Sequence, residues 1–229
     1  MSNLTFLPAS ALLRTFLFAT VFAVVAAMSG IALHAAEAVT GQQFSFATDA
    51  GKSTIKFKSS APLEDIEGSA DAISGFLNFQ PGNVAASAGK VQTAVSEMRT
   101  GISKRDKHLI SDDWLDAEAH PHIVYELKKL QSVEVAEQTG ERTVYKAVAV
   151  GSFTLHGVTK ELSSPVTLTL IPESDKTRER APGDFILIKT AFSIALADFN
   201  ISGARGMVGS KVGESIELDV SLIGSAAQQ

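Results

Sequence analysis

The segment Ile216-Glu217-Leu218-Asp219-Val220-Ser221-Leu222 alternates apolar residues with acidic or hydroxylated ones without interruption. Successive side chains of a β-strand point to opposite faces, so this pattern predicts a strand with one dry and one wet face. Similar alternation recurs at 55–58, 166–170 and 186–194. Strands buried on both faces would be continuously apolar, and the alternation therefore favours antiparallel sheets.

Turn-forming residues separate these strands, for example Pro81-Gly82-Asn83 and Ala181-Pro182-Gly183. Many short strands of this kind predict a sandwich or an up-and-down barrel. The first two strands can also be one strand broken at Gly51, and the residues from 39 to 229 suffice for a single domain. About eight strands are predicted, with a ninth at 214–223, and the eight lie near 43–48, 53–59, 73–79, 89–97, 121–131, 143–155, 161–171 and 185–196.

The N-terminus has the composition of a targeting segment. Arg14 precedes a nearly unbroken apolar run, Thr15–Leu33, and small residues at Ala36 and Ala38 follow it. This order predicts a secretory signal peptide over residues 1–38. The run also approaches the ~20 apolar residues that span a bilayer, so a retained membrane anchor is the alternative.

Composition excludes several classes of function. The net charge is −5, and no basic stripe is present that would neutralise phosphates, so nucleic acid is not expected as a partner. The chain has no cysteine, which excludes thiol catalysis, iron–sulfur clusters and cysteine-based zinc sites. No cofactor is predicted.

A charged segment, TGISKRDKHLISDDWLDAEAHP at 100–121, interrupts the strand pattern and holds the only tryptophan, Trp114. Its Arg105, Asp106 and His108 invite a catalytic interpretation, but neither a Gly-x-Ser-x-Gly elbow nor a Ser-x-x-Lys motif supplies a nucleophile. The structural interpretation is favoured. Arg105 and Asp106 then form ion pairs or cap the adjoining turn, with Asp106 able to be the N-cap of a short helix within a lid at 103–117, and the indole plugs an apolar interior.

Metal binding by histidines is the second alternative. His120 and His122 would share a face of a strand, and His108 and His156 could join them. Pro121 between the pair forces His120 to be extended, and compact spacings such as His-Glu-x-x-His are missing. No metal site is therefore predicted, and a metalloprotein or enzyme using His108, His120 or His122 stays as an alternative.

The charged segment resembles the signature of the YceI-like family. The segment 151–160 resembles that family's strand–turn–strand motif, and the match extends over 44–224. Gly75-Phe76 with Phe79 and the closing strand from Val212-Gly213 to Leu222 agree with it. The pieces that carry the signature are Thr100-Gly101, Arg105-Asp106, His108-Leu109, Asp113-Trp114-Leu115-Asp116 and His120-Pro121.

The resemblance implies an exported bacterial protein whose eight-stranded lipocalin-like barrel binds polyisoprenoids and related long-chain lipids. The expected function is a periplasmic carrier of a polyisoprenoid, an isoprenoid quinone or another long-chain lipid, without catalysis. A filled-barrel stress-response scaffold is the third alternative, and a homodimer and a membrane delivery partner stay open. Arg105, Asp106 and His108 are expected at the cavity mouth or lid. The residues expected to line the cavity are Ile55, Phe57, Phe76, Phe79, Leu109, Trp114, Phe153, Leu155, Phe192 and Ile194.

Overall fold

A computed structural model describes residues 41–47 and 49–226 of the 229-residue chain. The predicted signal peptide over 1–38 lies outside the described residues. Within the described ranges, none of the helices has the length and apolar character needed to span a bilayer.

Ten strand segments, two short α-helices and four single-turn 3-10 helices make up the regular structure of the described residues. The α-helices are α1 (Ser103–Leu109) and α2 (Asp175–Arg178). The strands are β1 (Gln42–Ser45), β2 (Thr54–Ser60), β3 (Asp65–Ala70), β4 (Ile73–Phe79), β5 (Ala88–Ala94), β6 (His122–Gln138), β7 (Thr143–Leu155), β8 (Val158–Ile171), β9 (Phe185–Ala195) and β10 (Ser215–Ala226).

Antiparallel pairing closes eight strand positions into a ring. The hydrogen-bonded order is β1-β4-β5-β6-β7-β8-β9-β10, and β10 returns to β1. Residues 216–221 of β10 pair with β2, whereas residues 225–226 pair with β1 on the same edge. β1 and β2 therefore share one position of the wall, and β3 and β4 share the next. The predicted eight-stranded barrel and the broken first strand are confirmed.

Two strands differ from the prediction. β3 was missed because Asp-Ile-Glu-Gly-Ser-Ala offers a single large apolar residue, Ile66, and a central Gly68. That glycine is needed in the fold, since a Cβ there would lie 2.5 Å from the carbonyl oxygen of Arg99. β6 continues to residue 138 instead of ending near 131, and three register shifts against β7 break its alternation.

Side-chain burial alternates along the strands, as the sequence pattern predicts. On β7 the residues Ala147, Ala149, Gly151, Phe153 and Leu155 are buried, and the residues that alternate with them are more exposed. Buried side chains form two clusters. We call the first the β1 core, which includes Phe44, Phe79, Leu168 and Ile186, and the second the lid core, which includes Leu115, Leu155, Phe199 and Ile201.

Candidate functional site

A cavity of about 510 Å³ lies inside the barrel, and both the β1 core and the lid core contribute to its wall. Strands β2 to β10 and the lid segment supply lining side chains, and most of these are aliphatic or aromatic. Small-molecule sites typically measure about 300–1,000 Å³ and are mainly apolar with a few polar groups. The size and chemistry of this cavity therefore suit an amphiphile with an apolar chain.

The structure places nine of the ten predicted lining residues on the cavity wall. Their contact with a ligand stays a prediction. The nine are Ile55, Phe57, Phe76, Leu109, Trp114, Phe153, Leu155, Phe192 and Ile194.

The tenth, Phe79, is not among the side chains that line this cavity and packs within the β1 core. Phe76 and Phe79 are three residues apart on β4, so the period of two turns them to opposite faces. Phe79 is 0% exposed, with its ring centroid 6.3 Å from that of Phe44 and 5.8 Å from that of Tyr145. Phe76 borders the cavity and is 38% exposed.

The barrel wall is interrupted beside β3, and the cavity opens there. β3 pairs with β2 along its length, but on its other side the described residues provide a single bridge, between Ser69 and Arg99. The lid segment (residues 103–117) follows directly after this bridge. Side chains from both sides of the gap line the cavity at what we call the mouth: Glu64, Ile66, Ile102, Lys104, Arg105 and His108.

The Arg-Asp pair of the lid is held in a structural network. The Asp106 carboxylate accepts hydrogen bonds from the Thr100 backbone N–H at 2.7 Å and from the Thr100 hydroxyl at 2.5 Å. The Arg105 guanidinium donates to that hydroxyl at 3.2 Å and forms an ion pair with Glu64 at 2.7 Å. The network fastens the lid segment to the β2–β3 turn across the gap.

The helix-capping role predicted for Asp106 was wrong. α1 begins at Ser103 with Ile102 at the N-cap, so Asp106 lies inside the first turn. Its carboxylate reaches back to the residue where the chain enters the lid. The structural interpretation of the pair nevertheless holds, because both charges have partners within the fold.

Asp106 gives the lid a predictable response to acid. The hydrogen bonds from the side chain and backbone of Thr100 lower the pKa of Asp106 below its ordinary value. Its contribution to stability is therefore present above the unfolded pKa of about 3.9 and is lost as pH falls through the folded pKa. We expect Asp106→Asn to destabilise the protein at neutral pH and to flatten its loss of stability below about pH 4.

Thermal midpoints measured from neutral to acidic pH test this expectation. Asp112→Asn is the matched control, because that carboxylate is exposed and, among the described residues, accepts a hydrogen bond only from the adjacent backbone N–H of Asp113. Parallel pH profiles for the wild type and Asp106→Asn would contradict the role given to Asp106.

Tyr125 lines the cavity and has a buried hydroxyl without a hydrogen-bond partner. Among the buried side-chain nitrogen and oxygen atoms of the described residues, its hydroxyl oxygen is the one without a hydrogen-bond partner. Burial, with a smaller effect of Glu161, raises the pKa of Tyr125 to about 12, so the group stays neutral. Gly151 makes room for it, since a Cβ at that position would lie 2.9 Å from the phenol oxygen.

Tyr125→Phe is expected to stabilise the protein by about 1 kcal/mol, because it removes a buried donor that has no acceptor. Urea unfolding with Tyr145→Phe as the comparison provides the measurement. A loss of stability in Tyr125→Phe would indicate that the hydroxyl has a partner and would contradict the expectation.

Trp114 occupies the position of the predicted plug. Its half-buried ring lines the cavity and packs with the lid core. A Cβ at Gly203, which has a φ of +67°, would lie 2.6 Å from the indole, so the glycine lets the ring lie against the backbone. The lid folds back on itself as the N–H of Leu115 donates to the carbonyl of Leu109 at 3.2 Å.

The histidines do not converge. His108 lies at the mouth, His122 is exposed at the start of β6, and His120 packs edge-on against His156 with ring centroids 5.0 Å apart. His156 is tied by Nδ1 to the carbonyl of Phe199 at 3.0 Å. Among the described residues there is no group of three or more histidine or acidic side chains placed to hold a metal.

Several lining residues were missed from sequence. Ala149 has the same phase on β7 as Phe153 and could have been included from the alternation alone. Lys104 lies four residues before the predicted His108 on α1, so the short helix expected in this segment would have placed both on one face. Met207 and Lys211 lie in a loop, where no periodicity indicates direction.

Comparison of amino-acid sequences finds the same domain in known proteins. The family model described as the YceI-like domain matches residues 46–223. A UPF0312 protein of Pseudomonas putida strain W619 is 26% identical over 159 residues, which is 69% of this chain and 73% of the relative. A UPF0312 protein of Vibrio cholerae is 30% identical over 97 residues, 42% of this chain and 47% of the relative.

Solved structures show the same fold. BcnA of Burkholderia cenocepacia superposes with a TM-score of 0.59 at 18% identity, over 77% of this chain and 98% of that one. A polyisoprenoid-binding domain from Saccharophagus degradans superposes with a TM-score of 0.57 at 16% identity, over 82% of this chain and 99% of that one. With the family model matched over most of its length and the barrel closed as described, this chain belongs to the YceI-like domain family.

Proposed function

We propose that this protein carries a polyisoprenoid or similar long-chain amphiphile in its barrel, in the periplasm and without catalysis. The observation that supports this most is the continuous apolar cavity of about 510 Å³ with a mouth beside the lid. A filled-barrel scaffold predicts a packed interior instead. The solved relative from Saccharophagus degradans, which is named a polyisoprenoid-binding domain, has the same fold.

The wall chemistry explains why a prenyl chain would be retained. Each buried methylene contributes about 0.8 kcal/mol when it leaves water, and association must offset the lost freedom of the ligand. Affinity should therefore grow with chain length until the cavity is full and then level off. The metalloprotein alternative has no comparable support, because within the described residues His120 and His156 pack together without a third histidine or acidic side chain placed to hold a metal.

The single tryptophan reports on this process, because Trp114 lines the cavity. Titrating the protein with geraniol, farnesol and geranylgeraniol should change its fluorescence with an affinity that rises at least tenfold from the shortest to the longest alcohol. Equal affinities along the series, or no saturable change at all, would contradict the proposal. Export to the periplasm is tested separately by fractionating cells that express the full chain.

A further inference from the structure

Exposed apolar side chains gather where the cavity opens. The exposed large hydrophobic residues of the described ranges are Leu63, Phe76, Ile102 and Val135. Ile102 belongs to the mouth, Phe76 borders the cavity, and Leu63 directly precedes Glu64 of the mouth. Leu63 is 76% exposed and Ile102 is 51% exposed. Single exposed apolar residues are ordinary, but a group of them rimmed by charge marks a surface that contacts a partner.

Leu63 and Ile102 stand on the two sides of the gap in the barrel wall. Leu63 lies in the β2–β3 turn beside Glu64, and Ile102 is the N-cap of α1, three residues before Arg105. The Arg105 guanidinium is 2.7 Å from the Glu64 carboxylate, which ties the turn to the lid. The ion pair therefore brings both exposed apolar side chains to the rim of the same opening.

Two lysines accompany this apolar pair. Lys104 follows Ile102 by two residues and lines the cavity, and Lys211 lines it from the loop before β10. That loop is joined to the end of β2, because the Gly213 N–H donates to the Ser59 hydroxyl at 2.8 Å. Both lysines are exposed, so their charges are available to a partner that covers the mouth.

The charge at the mouth departs from that of the whole chain, whose net charge is −5. Within the described residues, neither Lys104 nor Lys211 has a carboxylate within ion-pair distance, whereas Glu64 is neutralised in its ion pair with the lid. The exposed lid acids Asp112 and Asp113 do not line the cavity. The rim of the opening therefore combines exposed apolar surface with uncompensated positive charge.

We propose that this docking rim, formed by Leu63, Ile102, Lys104 and Lys211, places the mouth on the surface of an anionic lipid bilayer. The two apolar side chains enter the layer below the head groups, and the two lysines lie among the phosphates. Binding at a bilayer interface scales with buried apolar area and with attraction to anionic lipid. Each lysine held near such a surface raises affinity about fivefold. An apolar protein partner would cover the leucine and isoleucine but leave both lysines unpaired, so the charge favours the bilayer.

A label at the rim tests docking directly. The chain has no cysteine, so Leu63→Cys can carry an environment-sensitive NBD group, in protein from cells that express the full chain. Vesicles of phosphatidylcholine with an equal part of phosphatidylglycerol should raise its emission and shift it to the blue, and vesicles of phosphatidylcholine alone should not. Salt at about 0.5 M, where screening acts over roughly 4 Å, should weaken the response. Labelled Val135→Cys is the matched control, because Val135 is also exposed but does not line the cavity, and its emission should not change.

Charge variants in the labelled Leu63→Cys background test the lysines. Lys104→Gln/Lys211→Gln should weaken affinity for the anionic vesicles about 30-fold. Lys129→Gln/Lys189→Gln removes the same charge from exposed lysines of β6 and β9 that do not line the cavity, so it should bind the vesicles as the labelled parent does. Equal weakening by the two double variants would contradict a role for the rim lysines.

Three results would overturn the docking rim: no shift at Leu63 with anionic vesicles, an equal shift with neutral ones, or an equal shift at Val135. A shift that grows with protein concentration in the absence of vesicles would mean that a second copy covers the rim, and would overturn it as well. Carriage is measured separately, because Leu63 does not line the cavity and Leu63→Ser should bind geranylgeraniol as the wild type does. Lost docking with that binding intact refutes the rim alone, whereas a wild type that docks but binds no prenyl alcohol supports the rim and contradicts the carrier.

Discussion

Ala149→Phe should abolish the binding of a long prenyl chain while leaving the barrel folded. Ala149 is 7% exposed, lies on β7 opposite Leu130 and Ser164, and lines the cavity. The added ring would occupy space proposed for the chain. Displacing about four methylenes loses about 3 kcal/mol, so the affinity for geranylgeraniol should fall at least a hundredfold.

The adjacent residue provides the control. The side chain of Val148 points to the opposite face of β7, so Val148→Phe should leave the affinity within about twofold of the wild type. Overpacking a filled core costs about 1–3 kcal/mol, whereas a ring placed in an empty cavity should cost less. Unchanged binding in Ala149→Phe, with the thermal midpoint preserved, would show that the ligand does not use the cavity.

Phe79→Ala should produce the largest loss of stability among single substitutions considered for this barrel. Its ring is 0% exposed and packs edge-on against Phe44 and at a tilt against Tyr145. Truncating a buried phenylalanine costs about 3–5 kcal/mol, because the transfer free energy is lost and a cavity remains. Urea unfolding measures the change in the free energy of unfolding.

Phe76→Ala is the matched control on the same strand. Phe76 is 38% exposed and borders the cavity, so its truncation should cost about 1 kcal/mol and should weaken ligand binding more than Phe79→Ala does in the folded protein. Similar losses of stability for the two variants would contradict the distinction between the fully buried ring of Phe79 and the half-exposed ring of Phe76.

The alternation in the sequence was enough to predict most of the barrel. Strands such as β10 have one dry face, and the alternation of their side chains shows directly which residues lie inside the barrel. The same rule applied strictly would have separated Phe76 from Phe79, which are three residues apart. On β4 the alternation puts Leu77 and Phe79 on the buried face and Phe76 on the more exposed one, so the strict period would have selected Leu77, which lines the cavity.

The remaining features depend on contacts between distant parts of the chain. β3 is a strand because β2 supplies its partner, and Asp-Ile-Glu-Gly-Ser-Ala carries too little apolar character to indicate this alone. The ion pair of Arg105 with Glu64 joins residues 41 positions apart.

Native mass spectrometry of the wild-type protein tests lipid carriage most directly. The full chain would be expressed in a bacterial host, purified without detergent and sprayed under non-denaturing conditions, beside Ala149→Phe prepared in the same way. We predict one long-chain lipid per wild-type chain, released as a single species on activation and missing from Ala149→Phe. A wild-type protein that carries no lipid and takes up none from added prenyl alcohols, prenyl phosphates or quinones would contradict the account.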